Sequence, residues 1–201
     1  MKIYLSKSQW VIFLINLVYL IVFSYLYLQR GNLEFMIYIG VIILFFVLIL
    51  LTNYKVKFSN GILIGLTIWG IMHMSGGYFK AGEGVLYGLQ IIPIYTGIEF
   101  VILRFDQLVH AIGFGVATLV AFNLIKPYLN KEKVNWKVLS CLVVLMGMGI
   151  GALNEIIEFI TVVLLPQTGV GGYYNTMLDI CFNTFGAIIA VIWINFRERK
   201  V

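Results

Sequence analysis

Six side chains able to carry a charge stand inside otherwise apolar stretches: His73, Asp106, His110, Glu155, Glu158 and Asp179, with Asn154 and Asn183 as amide companions. Asp106 and His110 are four residues apart, Asp179 and Asn183 four, and Glu155 and Glu158 three. On helices each of these pairs shares one face. Two glutamates sharing a proton suit general acid–base work, and Asp106 is placed to orient His110 through a hydrogen bond at helical spacing. Glu155, Glu158, His110 and Asp106 are therefore candidate catalytic residues, and His73, Asp179, Asn183 and Asn154 candidate ligand-binding residues. Two histidines with carboxylates could instead hold a divalent transition metal, with His73, His110, Glu155 and Asp179 as ligands. The sequence has no His-x-x-x-His, Cys-rich or Glu-x-x-His spacing to strengthen that alternative. The blander alternative is a hydrogen-bonded packing network between helices.

The elements that must position these groups follow from composition. Of 201 residues, 61% are hydrophobic and 11% charged, and the mean hydropathy is +0.98, which excludes an ordinary soluble domain. About 20 helical residues cross a bilayer's hydrocarbon layer, and six stretches reach that length: 10–28, 35–54, 58–78, 107–125, 138–165 and 174–196. They are continuously apolar rather than alternating, which argues against a transmembrane β-barrel. The expected fold is all-α: a single-domain polytopic bundle of six transmembrane helices. Lys2 and Lys7 precede an apolar run as in a signal peptide, but no Ala-x-Ala-like exit follows, so the run reads as a retained first helix. Cys141 and Cys181 fall on oppositely directed helices, where no disulfide is expected.

Six crossings would place Lys2, Lys7, Lys55, Lys57, Lys126, Lys131, Lys133, Lys137, Arg197, Arg199 and Lys200 on one side and Arg30, Lys80 and Arg104 on the other. By the positive-inside bias both termini are cytoplasmic in the cell membrane. A seventh span over 85–103 would leave only Lys2, Lys7, Lys55, Lys57 and Arg104 inside, against the bias. The segment 80–104 is accordingly read as an outer interfacial or re-entrant element, kinked at Pro93 and softened by glycines, that lies as a lid. The cations sit in short loops at helix ends, a pattern of topology rather than of nucleic-acid binding. Glycines at 61, 65, 113, 115, 147, 149 and 151 read as tight helix packing.

This topology brings all the polar groups to the outer leaflet. A carboxylate facing lipid costs about 2.5–3.5 kcal/mol, so the polar stripes should face one another or a water-filled cavity. The leading expectation is an envelope protein whose outer-leaflet cavity binds, and possibly processes, an amphiphilic or lipid-linked molecule entering sideways between helices. A proton-coupled carrier and a non-catalytic scaffold are the alternatives. The inner halves of helices three to six carry few polar residues, which disfavours the carrier.

Three segments, Arg104-Phe-Asp-Gln-Leu-Val-His110, Asn154-Glu-Ile-Ile-Glu158-Phe and Thr176-Met-Leu-Asp179-Ile-Cys-Phe-Asn183-Thr-Phe-Gly186-Ala187, together with His73-Met-Ser-Gly76-Gly77, resemble motifs of the VanZ-like superfamily, and most closely its YjdF-like members. Gln107 stands where VanZ-like proteins usually place a basic residue, and the arginine expected in the turn before the last helix is missing. The resemblance implies a membrane location and singles out His73, Asp106, His110, Glu155, Glu158, Asp179 and Asn183. It names no substrate.

Overall fold

The computed structural model describes residues 5–130 and 132–199; Lys2, Lys131 and Lys200, three of the cations used above for topology, lie outside them. The described chain is 76% helical, with α1 (Lys7–Gln29), α2 (Leu33–Val56), α3 (Asn60–Tyr78), α4 (Phe105–Ile125), α5 (Trp136–Leu164) and α6 (Tyr173–Glu198). The ends of the first three are set by local chemistry. Ser6, Asn32 and Ser59 cap α1, α2 and α3 by accepting backbone N–H bonds in the first turn.

Among the described residues five helices are long and apolar enough to cross a membrane: α1, α2, α4 with the short 3-10 turn that extends it, α5 and α6. The remaining helix, α3, is 19 residues long. It spends many of its positions on Asn60, His73, Ser75 and five glycines, which dilutes its apolar character. Cys141 and Cys181 are free.

Two ends of the bundle differ in chemistry. At one, Lys126 pairs with Glu198 at 2.6 Å, Ser140 meets Asn195, and Gln9 reaches the carbonyl of Phe58. At the other, the Arg30 guanidinium lies 3.5 Å from the centre of the Tyr78 ring, and Glu34 accepts the backbone N–H of Gly169 at 2.6 Å. The core at this second end is aromatic: Tyr27 stacks on Phe35 at 4.5 Å and donates to the carbonyl of Met74 at 2.7 Å.

The segment 80–104 differs from expectation. It is not helical but two antiparallel hairpins, β1 (Lys80–Ala81) with β2 (Gly84–Val85) and β3 (Gln90–Thr96) with β4 (Val101–Arg104), joined by a 3-10 turn at Leu86–Gly88. Gly82, at φ +61°, makes the first turn. Pro93 does not kink a helix; it sits in β3, where the pairing slips between Gln90 and Tyr95, as a residue without an N–H requires. The β-branched and aromatic residues on both sides of Gly97 carry the hairpin signal. The expectation of helices alone fails here because a run of apolar residues has no period that separates a short helix from a strand.

Small residues let the site-bearing helices approach closely. Gly115 of α4 faces the backbone of Gly186 in α6, and a Cβ at Gly186 would overlap the carbonyl of Ala111. Gly65 lies against Val116, Gly113 against the Trp69 indole, Gly147 against Thr118 and Ala187, and Gly151 against Asn183. Gly61 and Gly149 make no such approach. Gly186→Ala should therefore lower stability by about 1–3 kcal/mol, and Gly149→Ala, with open space at its Cβ position, should cause no loss; thermal unfolding in mild detergent measures both.

Candidate functional site

Three helices deliver the polar groups to one place. The first turns of α4 carry Asp106 and His110, α5 carries Asn154, Glu155 and Glu158, and α6 carries Asp179 and Asn183. The start of α4 is pinned by Gln107, 2% exposed. Its side-chain oxygen accepts the N–H groups of Leu103 at 2.6 Å and Arg104 at 3.2 Å, and its amide donates to the carbonyl of Val101 at 3.1 Å. These bonds hold the junction where Leu103 takes φ +68°, a conformation that is rare for a branched side chain.

His110 is the centre of the site. It is 7% exposed, and its Nδ1 lies 3.0 Å from Asn183 Oδ1 and 3.7 Å from Glu155 Oε1. Its Nε2 lies 3.6 Å from Asp106 Oδ1 and 3.9 Å from Asp179 Oδ1. An amide oxygen only accepts, so the 3.0 Å contact calls for a proton on Nδ1, and Nε2 is the nitrogen that faces two carboxylates. Glu158 joins through Asn154, which donates to Glu158 Oε1 at 2.7 Å and to Glu155 Oε1 at 3.5 Å.

Asp179 and Asn183 are each 1% exposed. Asn175 donates to Asp179 Oδ2 at 2.5 Å, while Asp179 Oδ1 and Asn183 Nδ2 have no hydrogen-bond partner. Ligand-type atoms gather in two sets that share His110, one with Asp106 and Asp179 and the other with Glu155 and Glu158; within each set they lie within 4.8 Å of one another. His73, expected among metal candidates, belongs to neither set.

His73 instead faces His110 across a cavity of about 10 Å³ lined by Trp69, His73, Val109, His110, Phe114 and Asn154, room for about one water or ion. Trp69 stacks on the His73 ring at 5.5 Å. From the hairpin segment, the Tyr87 hydroxyl donates to the His73 carbonyl at 2.8 Å and sits 2.5 Å from His73 Nδ1. The Tyr87 ring lies where a Cβ at Gly76 would be, so Gly76 is the seat of the cap, while Gly77 makes room for the Phe35 ring. Burial pushes the Tyr87 phenol well above its ordinary range, which keeps it a donor.

Four contributors escaped the sequence reading. Asn175 continues the Asp179, Asn183 stripe one turn upstream, a signal visible as four-residue spacing. Tyr87, Gln107 and Glu34 act across turns and between elements, and nothing in their immediate sequence points to their partners.

The chain belongs to the DUF2238 family. The sequence profile of that family, described as "Predicted membrane protein (DUF2238)", matches residues 9–200. It is not the VanZ family, so the VanZ-like resemblance drawn above is corrected, and the finer YjdF-like assignment has no support either. The motif pieces were short, and Gln107, which departs from the VanZ-like pattern, has a structural task here. Comparison with curated proteins finds no match, and comparison with solved structures finds none. The family establishes an integral membrane protein with several apolar helices.

Tyr87→Phe removes the hydroxyl that ties the cap to His73 and should cost about 1–2 kcal/mol, read as faster amide exchange at 84–90. Because burial raises the folded-state pKa of Tyr87, its contribution should be complete below about pH 10, the ordinary tyrosine value, and decline only above it. Exchange rates in wild type that rise between pH 6 and 9 beyond the intrinsic rate would contradict this.

Proposed function

We propose that this protein crosses the cell membrane with all six helices, both termini cytoplasmic, and binds the polar headgroup of an amphiphilic or lipid-linked envelope molecule at the outer end of the bundle, with acid–base processing at His110 and the glutamates. The observation that carries the reading is the character and position of the cavity. Its lining combines polar groups (His73, His110 and Asn154) with apolar ones (Trp69, Val109 and Phe114).

The cavity lies between α3 and α5, which both pack on α4 but make little contact with each other. A headgroup that slides between them would meet Asn154, half-buried and already bonded to Glu158, while its chains stay among the exposed apolar residues of α5, including Leu153 and Ile156. The cavity is water-sized, so entry requires α3 and α5 to part or Tyr87 to lift. Asp106 and Glu155 flank opposite nitrogens of His110, an arrangement suited to passing a proton to or from a bound group.

The orientation rests on the cation distribution and on the two chemically distinct ends of the bundle. It puts the site and its β-cap on the outer face, and α3 spans despite its glycines because it packs between α1 and α4.

Mass spectrometry of lipids that stay with the purified protein tests the reading. One headgroup class should be enriched over the bulk membrane in wild type and fall roughly tenfold in Asn154→Leu, the effect of losing about 1.4 kcal/mol of polar contact. Bulk lipid composition in both proteins would contradict headgroup binding.

A further inference from the structure

Around His110 Nε2 the fold brings together one imidazole nitrogen and two carboxylate oxygens. Nδ1 is committed to Asn183 Oδ1 at 3.0 Å, so Nε2 is the ring nitrogen left to take an ion. It faces Asp106 Oδ1 at 3.6 Å and Asp179 Oδ1 at 3.9 Å. Three electron-rich atoms thus converge in an apolar bundle at separations too long for direct hydrogen bonds.

The Asp179 side chain is 1% exposed and its Oδ1 has no partner, while Asn175 holds the other oxygen and so aims Oδ1 at the gap. Buried carboxylates are paired or coordinate metals. Among the described residues no lysine or arginine forms an ion pair with Asp106 or Asp179.

We infer that His110 Nε2, Asp106 Oδ1 and Asp179 Oδ1 form a site for a divalent first-row transition ion, of the Zn²⁺ or Mn²⁺ class. Ligand bonds of about 2.0–2.2 Å place tetrahedral ligand atoms roughly 3.3–3.6 Å apart, a few tenths of an ångström inside the observed contacts to His110. One imidazole nitrogen with two carboxylate oxygens is a donor set for such an ion rather than for Ca²⁺ or Mg²⁺, which take oxygen alone.

The surroundings have the form of an outer shell. Asn183 fixes the tautomer of His110 and Asn175 fixes the rotation of Asp179, the two tasks that second partners perform around metal ligands. Gly151 makes the space that Asn183 occupies: a Cβ there would lie 2.8 Å from Asn183 Nδ2. Three protein ligands beside a water-sized cavity that borders the same ring match the form of an open, reactive site rather than a closed structural one. The inference does not depend on the headgroup reading: the ion can be present whether or not an amphiphile binds.

The test is elemental analysis of the full chain in mild detergent, after chelation and after reloading with Zn²⁺ or Mn²⁺ alone, with Tm followed in parallel. Wild type should hold about one ion per chain and lose Tm on chelation, with recovery on reloading. Asp179→Asn, nearly isosteric, should lower metal occupancy at least about tenfold, and Asn183→Ala should weaken affinity about 10- to 100-fold. Glu158→Gln, in the other set around His110, should keep the ion and serves as the folded control. Wild type that takes up neither ion, or Asp179→Asn that keeps full occupancy while Glu158→Gln loses it, would overturn the assignment. Wild type that holds the ion but carries lipid of bulk composition would count against the headgroup reading alone.

Discussion

His110, itself buried, is surrounded by carboxylates from three helices, and this constraint organises the rest of the molecule. Each of Asp106, Glu155 and Asp179 is costly to bury alone, and among the described residues none of them forms an ion pair with a lysine or arginine. The groups are tolerable only together, around one ring, with amides supplying hydrogen bonds. Convergence demands that α4, α5 and α6 approach closely, and the glycines at 115, 147, 151 and 186 permit it. The β4–α4 junction, held by Gln107, then sets where Asp106 and His110 begin.

The β-cap extends the same logic to α3. Gly76 receives the Tyr87 ring, and the Tyr87 hydroxyl anchors His73, so the second histidine is held by the cap while the first is held by the acids. Both histidines line one small cavity. Any ligand that reaches His110 from this side passes His73 and Asn154. Ligand binding and metal coordination would then both draw on one preorganised ring, held by Asn183.

Much of this was legible in the sequence. Apolar length located all six helices to within a few residues, and i, i+4 spacing brought together Asp106 with His110 and Asp179 with Asn183, because helical geometry makes such pairs neighbours whatever the tertiary fold. The cap was not legible as strands. In 90–104 the apolar residues form a run without a clear period, and Pro93 suggested a helix kink where it interrupts a ladder. His73 was grouped with the acids by depth alone, and depth carries no information about which way a side chain turns. The two sets of ligand-type atoms depend on helix rotation, which motif spacing does not encode, and short shared motifs led to a family that the full-length match does not support.

The tautomer of His110 is the most direct gauge of the arrangement. With only two histidines in the chain, ¹⁵N spectra of the histidine-labelled protein in bilayers, assigned with a His73→Asn variant, separate the two nitrogens of each ring. His110 protonated at Nδ1 with a bare or ligated Nε2 is the expected result. A ring protonated at Nε2 alone would mean that Asn183 does not orient it and that no lone pair faces Asp106 and Asp179.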